Sequence, residues 1–182
     1  MQFSAYGTLW RGSALAEQGQ VEEGIAQMQQ GLAALRATGT EQGRTGHVIM
    51  LAAAYAKVGR VEEGLSVVAE ALAFVDKTGE RVSEAELYRL KGELTLQKSP
   101  EPGVRSPKSG AEECFLKAIE IARRQQAKSL ELRAVMSLSR LWQQLGKKEE
   151  ARQLLAEIYG WFTEGFDTKD LQEARALLEE LA

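Results

Sequence analysis

Apolar positions along this chain recur at helical spacing. Val48, Leu51, Ala52 and Tyr55 stand at i, i+3, i+4 and i+7, the stripe that one face of an α-helix buries. Gly64, Val68, Ala71 and Leu72 form a second stripe shortly afterwards. The same alternation of stripe, polar break and stripe continues elsewhere. Gly12 and Leu15 precede Met28, Gly31 and Leu32; Leu87, Leu90 and Leu94 precede Ala111, Phe115, Ala118 and Ile119; Val135, Leu138 and Trp142 precede Ala151, Leu155 and Ile158. The pattern predicts helices in pairs.

The polar breaks repeat as text. GQVEEG spans residues 19–24, GRVEEG spans 59–64 and GKKEEA spans 146–151. Gly59 follows Gly19 by 40 positions, and Gly146 follows Gly59 by 87, about two periods with a small insertion. Glycine ends a helix readily because it takes the left-handed conformation without a Cβ clash. The glutamate pair after it suits the positive end of the next helix's dipole. Glu112–Glu113 is given the same role in a degenerate third unit. Gly24 and Gly64 fall inside helices, where glycine costs about 1 kcal/mol relative to alanine. Close approach of a neighbouring helix is the expected compensation.

One helix pair cannot bury such faces alone, so the units are expected to stack. The expected fold is all-α: a right-handed helical-repeat solenoid of four helix pairs and a C-terminal capping helix. The units fall at about 3–38, 43–78, 83–125 and 129–163, and the cap at about 168–181. Residues 97–109, QKSPEPGVRSPKS, hold all three prolines and read as an exposed insert within the third unit, since proline cannot continue a helix. In the cap, Leu171, Ala174, Leu178 and Leu181 make one apolar face, with Asp167 or Thr168 as N-cap. The opening QFSAYGTLWRGSAL already reads as the first helix of a repeat, with Phe3 and Trp10 uncovered. That predicts either a longer array or self-association through the uncapped first repeat.

The succession of small, large and small residues around a turn glycine resembles the tetratricopeptide repeat, although the 40-residue spacing exceeds the usual period of about 34. Longer strings carry a narrower resemblance. ALAEQGQVEEGIAQMQQGLAALRATG, ELYRLKGEL, AIEIARRQQAKSLELRA and IYGWFTEGFDTKDLQEARALL resemble the C-terminal region of large bacterial multidomain proteins. Those join a cyclase, kinase or DNA-binding domain to a predicted signalling ATPase, followed by a tetratricopeptide array. The resemblance implies the sensor or scaffold end of such a protein. It carries no cyclase or ATPase residues onto this chain.

A formal net charge of -3 argues against nucleic-acid binding, which calls for a basic excess. No apolar run approaches the roughly 18 residues of a membrane span, and the opening residues show no charged region followed by an apolar one as a signal peptide would, so the cytoplasm is the default expectation. The single cysteine, Cys114, can form no intrachain disulfide. One histidine, His47, cannot build a multi-histidine metal site. GTEQGRTG, residues 39–46, departs from a phosphate-binding loop in spacing and in its arginine, and reads as the turn between two units. The chain is therefore expected to hold no catalytic residue, cofactor or metal.

What remains is surface. By repeat position the concave face would carry Tyr6, Leu9, Ser13 and Glu17, then Ile49, Ala53 and Lys57, then Tyr88 and Gly92, then Arg133, Met136, Arg140 and Gln143. That mixture of apolar, aromatic and cationic groups suits an extended peptide or a partner helix, and the two arginines suit a carboxylate. The chain has no asparagine, which sets it apart from the carboxylate clamps of chaperone-tail binders. The expected function is a non-catalytic protein-interaction module. The alternative is a sensor that holds a small metabolite in the groove.

Overall fold

The structure, a computed structural model, describes residues 2–39, 43–100 and 106–182, and side chains from residue 4 onward. Among these residues lie nine α-helices and no strand: α1 (Gln2–Glu17), α2 (Val21–Ala37), α3 (Arg44–Lys57), α4 (Val61–Thr78), α5 (Glu84–Leu96), α6 (Pro107–Arg124), α7 (Lys128–Gln144), α8 (Lys148–Tyr159) and α9 (Lys169–Glu180). Successive helices pack as pairs, α1 on α2, α3 on α4, α5 on α6 and α7 on α8.

The repeated phrase folds into one repeated turn. Gly19, Gly59 and Gly146 have φ of 91°, 71° and 78°, which a side chain would resist. The next residue reaches back each time. The Gln20 N–H donates to Leu15 O at 2.9 Å, Arg60 to Tyr55 O at 3.0 Å and Lys147 to Trp142 O at 2.9 Å. This six-to-one bond closes the helix and reverses the chain. Glu22–Glu23, Glu62–Glu63 and Glu149–Glu150 then occupy the first turns of α2, α4 and α8.

Glu112–Glu113 differs. Pro107 opens α6 at its first turn, because its missing N–H would have no helical partner there. The glutamates therefore stand beyond the first turn, and Glu112 instead accepts from Trp142 Nε1 at 2.7 Å and Lys147 Nζ at 3.2 Å. The proline-rich insert is thus shorter than its sequence suggests. Residues 107–109 are helical, and 101–105 lie outside the described residues. The centre of GTEQGRTG, residues 40–42, does too.

The chain divides into two compact units, Met1–Ser83 and Glu84–Ala182. In the first, Leu9, Ile25, Met28, Leu35, Leu51 and Tyr55 form the core. Glycines set the α1–α2 contact. A Cβ on Gly24 would stand 2.5 Å from Gly12 O and 2.8 Å from Ala16 N, and one on Gly12 would stand 2.6 Å from Gly24 O. Gly31 meets Ala5 O and Leu9 Cβ at 2.9 Å in the same way. The two backbones touch with no side chain between them. Gly64 is likewise buried in α4.

The second unit is built around Phe115, Leu132, Leu138, Leu141 and Leu155, and α9 adds Leu171, Ala174, Leu177 and Leu181. Leu177 is buried where the sequence pointed to Leu178, which is only half-buried against the same core. Thr168 takes the N-cap position of α9 without a side-chain cap bond; its hydroxyl donates to Gly165 O at 2.7 Å instead. At the α6–α7 turn the buried Glu131 accepts from Arg123 Nε at 2.7 Å and Lys128 Nζ at 2.8 Å. Burial alone would raise the Glu131 pKa, and these two charged hydrogen bonds outweigh it and leave it below the ordinary value.

Candidate interaction surface

In each pair the first helix (α1, α3, α5 and α7) carries the surface residues singled out by repeat position. In the first unit α1 presents Tyr6, Trp10, Ser13 and Glu17 at helical spacing. Tyr6 and Ser13 are half-buried and Trp10 is 58% exposed. Leu9 does not belong with them. It is fully buried against α2, so nothing of it is left for a partner. Its place on the face goes to Trp10, whose ring stands edge-on to His47 with centroids 6.4 Å apart. The Tyr6 ring lies 5.5 Å from the same imidazole. Ile49 and Ala53 on α3 are half-buried. Lys57 reaches across to Glu17 at 2.5 Å, so these two members of the expected face meet. With both groups exposed, the pair contributes roughly 0–1 kcal/mol.

His47 is mostly buried, and burial lowers its pKa below the ordinary value of 6.5. The unfolded chain then binds the proton more tightly than the folded one. Stability linked to His47 is complete above the unfolded value and declines as the pH falls from there toward the folded value. Thermal melts at about pH 7.5 and about pH 5.5 should show a lower melting temperature in acid, and His47→Phe should shrink that difference. An unchanged difference in the variant would remove His47 as the cause.

In the second unit a polar lattice joins the first helices. On α5, Arg89 makes a two-toothed contact with Glu86 at 2.7 and 2.8 Å and also binds Glu93. The Ser137 hydroxyl of α7 donates to Glu93 at 3.0 Å. Burial works against the Arg89 charge, and the two carboxylates outweigh it, holding its pKa above the ordinary range. Arg133 donates to Asp170 at 2.6 Å and Arg140 to Glu173 at 3.2 Å. Each of these arginines is already met by a carboxylate of the chain's own α9.

Met136 is buried in the core and leaves the surface set, while Gln143 stays half-buried. Tyr88 packs half-buried against Ala85, Ile121 and Ala122. Gly92 faces inward: a Cβ there would stand 2.5 Å from Phe115 Cε1. These errors share one cause. A repeat position fixes a helix face only to within a residue, and one residue turns a side chain by about 100°. Trp10 had a signal in the sequence, as a large aromatic with nothing assigned to cover it. The Glu86–Arg89–Glu93 lattice had one too, in its i, i+3, i+7 charges.

Among the described residues no group of three or more His, Cys, Asp or Glu side chains could hold a metal, and no helix is long and apolar enough to cross a membrane.

No family model matches the sequence, and no curated protein matches it. Solved structures do. A kinesin light chain-like protein of Podosopora anserina, with nearly identical TPR-like repeats, superposes with a TM-score of 0.71 at 18% identity, over 100% of this chain and 86% of the other. A thermophilic TPR protein of Thermus thermophilus gives 0.68 at 18% identity, over 97% and 80%. The fold is a tetratricopeptide-like helical repeat. At this identity the likeness concerns fold and nothing finer.

Proposed function

We propose that the chain is a non-catalytic protein-interaction module whose first unit receives a partner on the exposed face of α1 and α3. The observation that carries this is the α1–α3 face. It places two aromatic rings, Tyr6 and Trp10, on one stripe with the Glu17–Lys57 pair. An exposed aromatic beside opposite charges can hold an extended peptide by stacking at one end and ion pairing at the other. Glu17 and Lys57 are held to each other by a contact worth so little that a partner's charges can replace it. The mechanism is passive, and a bound partner shifts the state of whatever domain the module is joined to. The long sequence strings noted above support a setting at the regulatory end of a bacterial signalling ATPase or cyclase.

A peptide-library selection against the whole chain tests this. Selected peptides should bind the wild type and lose at least tenfold in affinity, about 1.4 kcal/mol, against Trp10→Ala and against Lys57→Glu. Peptides indifferent to both would refute the assignment of the face. A thermal-shift screen separates the rival reading: stabilisation by a small metabolite, with no peptide selected, would make the module a sensor.

A further inference from the structure

The second unit has a helix seat whose present contents display the chemistry it accepts. α9 lies on α7 and α8 and turns one stripe toward them. Leu171, Ala174, Leu177 and Leu181 on that stripe are 4%, 0%, 3% and 2% exposed. Beside the stripe, Asp170 and Glu173 stand one helical turn apart and meet Arg133 and Arg140 of α7. The seat therefore takes an amphipathic helix with carboxylates at i and i+3 and apolar side chains at i+1, i+4, i+7 and i+11. α9 fits it incompletely. Where α9 begins, a cleft of about 440 Å³ remains open, lined by Leu132, Phe162 and Thr168. The Arg133–Asp170 pair, Glu164 and Lys169 line it as well, and Lys169 lies 3.8 Å from Glu173. A second cleft of about 420 Å³ runs along the Gln172, Arg175 and Glu179 side of α9, against Tyr159 and Phe166.

We propose that this seat on α7 and α8 is a docking surface for an acidic amphipathic helix of a partner protein, which enters by displacing α9. α9 is held so that it can leave. The ion pairs that tie it to α7 have side chains 30% to 44% exposed, and pairs of that kind contribute little. Thr168 makes no side-chain cap bond to its first turn. The connection from α8, residues 160–168, has no helical residue, so α9 can swing away without unwinding α8. A helix of the same text would exchange with α9 contact for contact. The tether, however, keeps α9 at a high effective concentration, so a partner wins only by contacts that α9 lacks. The open cleft supplies them. A partner helix that starts one turn earlier, with a large apolar side chain in place of Thr168, would cover Leu132 and Phe162. Apolar grooves recognise helices by anchors at this spacing. The seat shares no residue with the α1–α3 face.

Fluorescence anisotropy with the full chain and a labelled peptide of residues 166–182 tests this. The wild type should bind the peptide weakly, because its own α9 competes. Ala174→Asp sets a charge at a fully buried position of α9 and leaves every seat residue of α7 and α8 unchanged. That chain should bind the peptide roughly tenfold more tightly or better, since the tethered competitor is gone. A peptide carrying Thr168→Leu should bind it about threefold more tightly still, by filling the cleft. Arg133→Glu with Arg140→Glu, added to Ala174→Asp, should weaken binding roughly tenfold, and a peptide with Asp170→Arg and Glu173→Arg should recover it. Hydrogen exchange on the unaltered chain gives a second reading that needs no variant. Amides of α9 should be less protected than those of α7 and α8, and excess Thr168→Leu peptide should lower their protection further. α9 exchanging in step with α7 and α8, unmoved by the peptide, would overturn the proposal. So would a folded Ala174→Asp chain with no gain in affinity, or a gain indifferent to the two arginines. Trp10→Ala should leave this binding unchanged, which keeps the result separate from that of the α1–α3 face.

Discussion

Gly24→Ala should destabilise the first unit by about 2 kcal/mol, and Gly7→Ala should stabilise it. Each substitution removes a helix-interior glycine, and on propensity alone each should gain up to about 1 kcal/mol. Their surroundings differ. A Cβ at position 7 meets nothing within 4 Å, whereas one at position 24 would stand 2.5 Å from Gly12 O and 2.8 Å from Ala16 N. Both obstacles are backbone and cannot rotate aside. The helices must separate, which costs about 1–3 kcal/mol for one added methyl in a tight core and more where main chain is struck. That exceeds the propensity gain at position 24 and is absent at position 7. Chemical denaturation followed by circular dichroism reads both. Equal shifts of the same sign would show that propensity governs both sites and that the α1–α2 contact is loose.

The second large effect centres on Phe115. The ring is fully buried in the second unit, and Phe115→Ala should cost about 3–5 kcal/mol through lost burial and a residual cavity. Gly92 supplies a sharper version. Its missing side chain leaves room for the ring, and a Cβ there would lie 2.5, 2.7 and 3.0 Å from Phe115 Cε1, Cδ1 and Cζ. Gly92→Ala alone should therefore be destabilising, because a fully enclosed ring has nowhere to move. Phe115→Leu removes the ring that the new methyl would strike. The two together should cost less than the sum of the separate losses, with a coupling of about 1 kcal/mol or more. Additive losses would mean that the two residues do not share this space.

The same glycines show what could be read from the chain beforehand. The phrases at 19–24, 59–64 and 146–151 were legible as turns because a left-handed residue followed by acidic residues has a strong local cause. The close helix approach at Gly24 was legible because interior glycine has a cost that packing must offset. Pro107 was misread as part of the insert, since proline at the first turn of a helix and proline in a loop look alike without the partner helix. The surface was harder. Leu9 and Met136 share the helical phase of exposed neighbours, and only the packed partner decides which of two adjacent positions turns inward. Arg133 and Arg140 were recognisable as carboxylate receivers, but their partners Asp170 and Glu173 stand more than thirty residues away. No local pattern links such distances, and contact between the elements must be known first.

Hydrogen exchange with and without a selected peptide tests the interaction reading most directly. Amides in α1 and α3 around Trp10 and Lys57 should gain protection on binding, while those of α2 and α4 change little. Protection confined to α2 and α4, with α1 and α3 exchanging as in the free chain, would contradict it.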